Sequence, residues 1–416
     1  MGKFEEKPNS RHSRAHSHLV LARQVDYRTQ HLSIAQRIQI LSCRDRMGRL
    51  NPGILRLCIA IVLVLAILIV GAQLQDRSLA SAAANRDSLD ANEVRLTFTG
   101  DMMLGRYVDT YGEKEGYDKL FDGVRALWKD SSLVFTNLEC AVLPEHADLS
   151  QARDKLVLHA EPAALEAAVA AGVNAFSVAN NHIADSGREN LANTLSLIEA
   201  SGAAYAGAGA NWDECAAYRV LDADGLKVGF VACTDIIPSG FAAQANGYGV
   251  NTFKNSRTSM NILKASMETD LVVVYIHWGK ENQIGINDRQ REMAHLLVEA
   301  GADIVIGSHP HVLQEVEQYQ GATIFYSLGN FLFDQAQRPT RVSAMVQLTV
   351  NRETGKGRLK ILPMILKNFH PYLTDSALYT SMVRRSMTAA LSANAYSVTG
   401  DGQIEIPVQF NFSGKS

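Results

Sequence analysis

Gly301-Ala302-Asp303-Ile304-Val305-Ile306-Gly307-Ser308-His309-Pro310-His311 is the stretch from which the fold can be read. Ile304 to Ile306 is a short apolar run with small residues at its end, the pattern of a buried strand. The turn that follows carries two imidazoles, His309 and His311. In an extended segment, residues i and i+2 project to the same side. The spacing therefore brings both rings toward one point, or toward two metal ions a few ångströms apart. Two incidental histidines on a polar turn would look the same in isolation. Recurrence separates the readings, because four other apolar runs end in potential ligands in the same way.

Those four ends lie earlier in the chain. The first is Thr99-Gly100-Asp101, where glycine lets the backbone turn sharply before the carboxylate. The second is Thr136-Asn137-Leu138-Glu139, and the third is Asn180-Asn181-His182. The fourth is Tyr275-Ile276-His277-Trp278-Gly279. Each has a plain structural alternative. Asp101 can cap a helix, Glu139 can pair with an arginine, and Asn181 and His182 can be turn residues. His277, closing an apolar run, can be a satisfied core histidine. Open α/β sheets nevertheless gather their sites at the carboxyl ends of strands, so residues far apart in sequence can meet there. Carboxylate, amide carbonyl and imidazole without thiolate suit Mn, Fe or Zn. One or two such divalent ions can hold an oxyanion and supply hydroxide near neutral pH.

The surrounding texture is α/β. Strands are expected at Arg95–Thr99, Leu133–Asn137, Ala175–Ala179, Leu226–Cys233, Leu271–His277, Asp303–Gly307 and Thr323–Ser327. Helical patterns fall at Tyr117–Trp128, Pro162–Ala171, Gly187–Ala200, Ser256–Glu268 and Asp288–Ala300. Asp222-Ala223-Asp224-Gly225 reads as a hairpin turn, and Ser343–Val350 with Arg358–Leu366 as another hairpin. A last helix is expected within Ser376–Leu391. Alternation at Ile404, Ile406, Val408, Phe410 and Phe412 suggests a final strand with no visible partner.

The N-terminal part is different. Residues 1–56 hold eleven Lys or Arg against four Asp or Glu. Residues 57–74 then form an uncharged aliphatic run close to the ~20 residues that span a bilayer core. Basic residues before the run and none immediately after it place the N-terminus in the cytoplasm. The expected organisation is a basic tail (1–56), a single-pass anchor (57–74), a polar linker (75–93), a main extracytoplasmic domain (94–370) and a C-terminal helix and strand (371–416). A cleaved signal peptide is the rival, with Ala80-Ser81-Ala82 as the cleavage site and Met47 as the true start. Net charge of -3 over 416 residues gives no general attraction to nucleic acid. Five cysteines with no CxxC spacing are not a disulfide framework. At most one bridge is available to Cys140, Cys215 and Cys233.

Gly100-Asp101, Asn137-Leu138-Glu139, Asn180-Asn181-His182, His277-Trp278-Gly279, the run Ser308 to Gln314 and Tyr326-Ser327-Leu328-Gly329-Asn330-Phe331 resemble the capsule-synthesis CapA family. That family is associated with poly-γ-glutamate synthesis or export and sits within the calcineurin-like metallophosphoesterases. The resemblance, from Val94 to Asp334, implies a four-layer α/β/β/α sandwich behind the N-terminal transmembrane helix. It implies Asp101 and His311 on a first metal, Glu139 bridging, and Asn181, His277 and His309 on a second. His182 would be the general acid and Asn330 would line the site. Asp101-Met102-Met103 stands where the wider superfamily has Asp-x-His, so one imidazole of the full two-metal set is missing. The implied role is work on an anionic cell-surface polymer at the membrane, as a metal-dependent hydrolase beside membrane-bound capsule synthesis proteins. A phosphoesterase acting on a small phosphate or amide substrate, and a non-catalytic assembly factor, are the alternatives.

Overall fold

The computed structural model describes residues 89–412, apart from 145–146, 151, 153–156, 238–239 and 255, together with Ile61. Internal packing divides the chain into two units, Met1–Ser78 and Leu79–Ser416. All elements below belong to the second. The proposed anchor, Ile61 apart, lies outside the described residues. Among those described, no helix is long and apolar enough to cross a membrane.

Two mixed sheets carry the fold. The ten-stranded sheet has a parallel centre, Glu93–Met102 beside Leu133–Leu138, Ala175–Ser177 and Ala204–Ala206. Antiparallel strands Val342–Asn351, Lys356–Lys367 and Ile404–Gln409 extend it on the other side. The six-stranded sheet has the parallel core Leu226–Thr234, Leu271–His277, Ile304–Ser308 and Ala322–Phe325, with antiparallel edges Arg219–Ala223 and Val316–Tyr319.

Alternation along the strands fixes the layering. On Leu271–His277, Val273 and Tyr275 join the core shared with the larger sheet, whereas Val272, Val274 and Ile276 pack with Ile262, Ala265, Met293 and Leu297. Those last four belong to the helices Ser256–Glu268 and Asp288–Glu299, which therefore cover the smaller sheet's far face. Buried on both faces, this strand reads as a continuous apolar run. Between the sheets, the Phe135 ring lies 5.2 Å from both Phe98 and Phe230, and Tyr275 Oη donates to Thr99 O at 3.1 Å. One aromatic seam holds the sheets face to face.

Most expected elements fall within a residue or two of their observed bounds. The Tyr117–Trp128 helix does not form as one piece. It breaks into a 3-10 turn, Tyr117–Phe121, and a single α-turn, Arg125–Trp128. Gly123 lies between them, where a Cβ would meet Pro371 O at 2.3 Å, so close backbone packing interrupts the helix. The helix Arg106–Glu115 was not foreseen. The final strand finds its partner in Lys356–Lys367, making the segment after residue 371 part of the larger sheet. Cys140, Cys215 and Cys233 are all free and buried.

Candidate metal centre

The first strand delivers Asp101 through a local irregularity. Phe98 pairs with Phe135 and Asp101 with Asn137, so one extra residue is inserted on the first strand. Gly100 sits at that bulge, where a Cβ would lie 1.8 Å from Gly329 O. Only glycine permits this approach, which lets Asp101 N donate to Gly329 O at 3.0 Å.

Asn137 is the hub. Its Nδ2 donates to Asp101 Oδ1 at 2.8 Å and to Glu139 Oε2 at 3.3 Å. Its Oδ1 accepts from Asn180 Nδ2 at 3.2 Å. Asn180 Oδ1 in turn accepts from the backbone N–H groups of His182 and Ile183 at 3.0 and 2.8 Å. The Asn180-Asn181-His182 turn is thus built around one buried amide.

The smaller sheet supplies the imidazoles. His277 Nε2 lies 2.7 Å from Asn181 Oδ1, and its Nδ1 lies 3.1 Å from Ser308 Oγ. After the strand Ile304–Ser308, His309 and His311 adopt φ values of 92° and 57°. The expectation of an extended segment is therefore corrected. The two rings converge because each histidine occupies the left-handed region, a strained conformation of the kind concentrated at functional sites. His309 N donates to Asp101 Oδ2 at 3.2 Å, fastening the loop to the opposite sheet. His311 Nδ1 is 2.9 Å from Asn330 Oδ1 and 3.3 Å from Asp101 Oδ2, and His311 Nε2 is 3.5 Å from Glu139 Oε1.

Asp101, Glu139, Asn181, His277, His309 and His311 therefore come together. Two buried groups, Glu139–His309–His311 and Asp101–Glu139–His277, each bring three ligand atoms within 4.8 Å of one another. Glu139 belongs to both. The His309 ring centre lies 4.7 Å from that of His277 and 6.0 Å from that of His311, so it stands between the two. Asn330 lies against His311, pairing in parallel register with Asp101. His182 stands at the rim, its side chain 21% exposed, with Nδ1 2.9 Å from Asp185 Oδ2. Asp185 was not singled out from the sequence. Its position three residues after His182 in a turn was the available signal.

The electrostatics are those of a desolvated cluster. Burial raises the Glu139 carboxyl well above its usual range, with Asp101 adding repulsion and His311 opposing it. Burial lowers His277 strongly and His309 to about 4, with the other imidazoles adding to both shifts. For His311 burial also acts downward, but Glu139 and Asp101 outweigh it and raise the group to about 9. Glu139 Oε1 and His309 Nδ1 are buried without a hydrogen bond. Unsatisfied buried polar atoms are costly. Two of them in a thiolate-free set of carboxylates and imidazoles fit a divalent cation.

The protein so defined is a mixed α/β protein in which strand ends from two facing sheets gather one buried carboxylate–imidazole cluster. Comparison places it further. Residues 95–335 match the family described as bacterial capsule synthesis protein PGA_cap, and the chain belongs to that family. It is 33% identical over 354 residues to the capsule biosynthesis protein CapA of Bacillus anthracis, covering 84% of this chain and 85% of the relative. It is 34% identical over 278 residues to the PGA biosynthesis protein CapA of Bacillus subtilis (strain 168), covering 66% and 72%. Among solved structures it is similar to a 5'-nucleotidase precursor from Thermus thermophilus, at 14% identity and a TM-score of 0.36. That match covers 63% of this chain and 52% of the other, and a likeness so loose carries no argument about the site.

Proposed function

We propose that this protein acts in the synthesis or export of an anionic capsule polymer of the poly-γ-glutamate type, as a metal-dependent hydrolase of metallophosphoesterase-type architecture. The names of its relatives support the polymer. The observation that supports hydrolysis is Glu139, a buried carboxylate shared by two ligand groups, one of whose oxygens takes part in no hydrogen bond. Asp101, Glu139, Asn181, His277, His309 and His311 would hold one or two ions of Mn, Fe or Zn. A bound ion supplies a polarised carbonyl or phosphoryl oxygen and a hydroxide nucleophile near neutral pH.

The chain's own residues do the rest. Asp185 accepts from His182 Nδ1 and is itself fixed by the Leu158 N–H at 3.1 Å. That contact orients the ring and supports its doubly protonated form, from which Nε2–H can pass its proton to a departing amine or alkoxide. Asn330 holds His311 in place, and Ser308 does the same for His277.

Residues 57–74 anchor the chain, the main domain lies outside the membrane, and membrane-bound capsule synthesis proteins are its neighbours. Protease added to intact spheroplasts should remove the domain beyond residue 75, and protection would overturn that topology. For the chemistry, metal content of the purified chain is compared with that of Asp101→Ala and His309→Ala. Loss of bound ion from both variants places the two loops at one centre. Wild-type protein without metal under metal-replete conditions would leave a non-catalytic assembly role.

A further inference from the structure

Beside the cluster lies a pocket of about 240 Å³, walled by Phe333, Gln335, Arg341, Leu366, Lys367 and Phe369. It is joined to the metal centre at two points. The Phe333 ring sits 4.9 Å from the His311 ring. Gln335 Oε1 accepts from Asn330 Nδ2 at 3.1 Å, while Asn330 Oδ1 lies against His311. The same Nδ2 also donates to Thr340 O at 3.1 Å, next to Arg341.

The pocket is cationic. Arg341 uses Nε to donate to Leu366 O at 3.2 Å. The Lys367 ammonium rests 5.6 Å from the centre of the Tyr372 ring. Among the described residues, no carboxylate pairs with either side chain. Arg341, Lys367 and Gln335 all line this space and no acid does, a setting suited to an anion. Its wall is held in strain. Asn368 and Phe369 turn the chain at φ values of 48° and 74°, the second unusual for a bulky residue. Phe369 is kept there by stacking on Tyr107 with ring centres 6.4 Å apart. The volume is many times the roughly 10–15 Å³ that a single water needs, room for a repeat unit.

We infer that this pocket is a subsite for a carboxylate of the polymer unit next to the one at the metal centre, with Arg341 and Lys367 taking the charge. The inference rests on the polymer reading above. The test uses the full-length chain in detergent, with a γ-linked glutamate pentamer, its uncharged glutamine counterpart and tripolyphosphate as probes. Equilibrium binding is compared between wild type and Arg341→Gln/Lys367→Gln. The pentamer should bind about tenfold more weakly for each charge-assisted hydrogen bond removed, with metal content unchanged. The glutamine counterpart should bind weakly to both proteins. If the double variant melts early, Lys367→Gln, altered at an exposed position, carries the comparison. Equal pentamer affinity for wild type and variant overturns the subsite, as does absence of binding to wild type or tighter binding of tripolyphosphate. Binding is read without turnover. A chain that binds through these residues but never cleaves supports the subsite and removes the hydrolase reading instead.

Discussion

His309 is where the residue scale is most demanding. Burial holds its imidazole at about 4 against an ordinary 6.5, and His277 is shifted in the same direction. The unfolded chain therefore takes up these protons first, and stability present above pH ~6.5 is lost as pH falls toward 4. His311, raised to about 9, acts oppositely, with its contribution complete below pH 6.5 and lost as pH rises toward 9. Chelator-treated wild type should thus lose more stability than His309→Gln between pH 7 and 4.5, by up to about 2 kcal/mol. Urea titrations at the two pH values measure the difference, and parallel losses would contradict the neutral His309. His182 makes a different prediction. His182→Ala should keep its metal while turnover falls by about 10²–10⁴-fold; loss of metal as well would make His182 a ligand.

At the scale of elements, the strand ends position the chemistry, and one glycine bears much of the cost. Gly100→Ala would drive a Cβ into Gly329 O, a backbone atom that cannot step aside. The substitution should cost about 1–3 kcal/mol or more and lower metal content with it, read by thermal melts beside metal analysis. A variant of normal stability and full metal content would show the bulge to be dispensable. This scale is also where the sequence was most legible. Period-two and continuous apolar runs predicted the central strands almost to the residue, because burial on both faces leaves that pattern. The clustered side chains were legible because each follows such a run. The Asn137 and Asn180 amides that fasten them were not, since their roles depend on partners across the sheet. His309 and His311 were read as extended when they turn, because backbone handedness at a non-glycine residue leaves no local signature. The interrupted Tyr117–Trp128 helix failed for a similar reason, as its breaker is a distant strand.

For the whole molecule, the family match ends at residue 335, but the sheet does not. Ile404 and Ile406 are completely buried and Phe410 nearly so. At about 1.5–3 kcal/mol for each buried apolar side chain, these three rival much of a typical net stability of about 5–15 kcal/mol. A chain ending at Gly400 should yield little soluble protein, because residues 356–361 would become an open edge prone to pairing between molecules. Soluble yield and circular dichroism report the outcome, and a truncated chain that melts normally would show the last strand to be ornamental.

The six clustered side chains run from Asp101 to His311, and no short segment holds more than two of them. A ribosome-bound chain that has emerged only through Asn181 offers two carboxylates and an amide, with none of the three clustered imidazoles. Capture of the ion proposed above would therefore wait for the last third of the domain, and selectivity would pass to whatever divalent ions surround the chain as it closes. On the anchored topology proposed above, that place is outside the membrane, where the cell's internal metal buffering does not reach. An ion bound in the centre would then record where the protein folded. The same sequence folded in the cytoplasm should carry a different one.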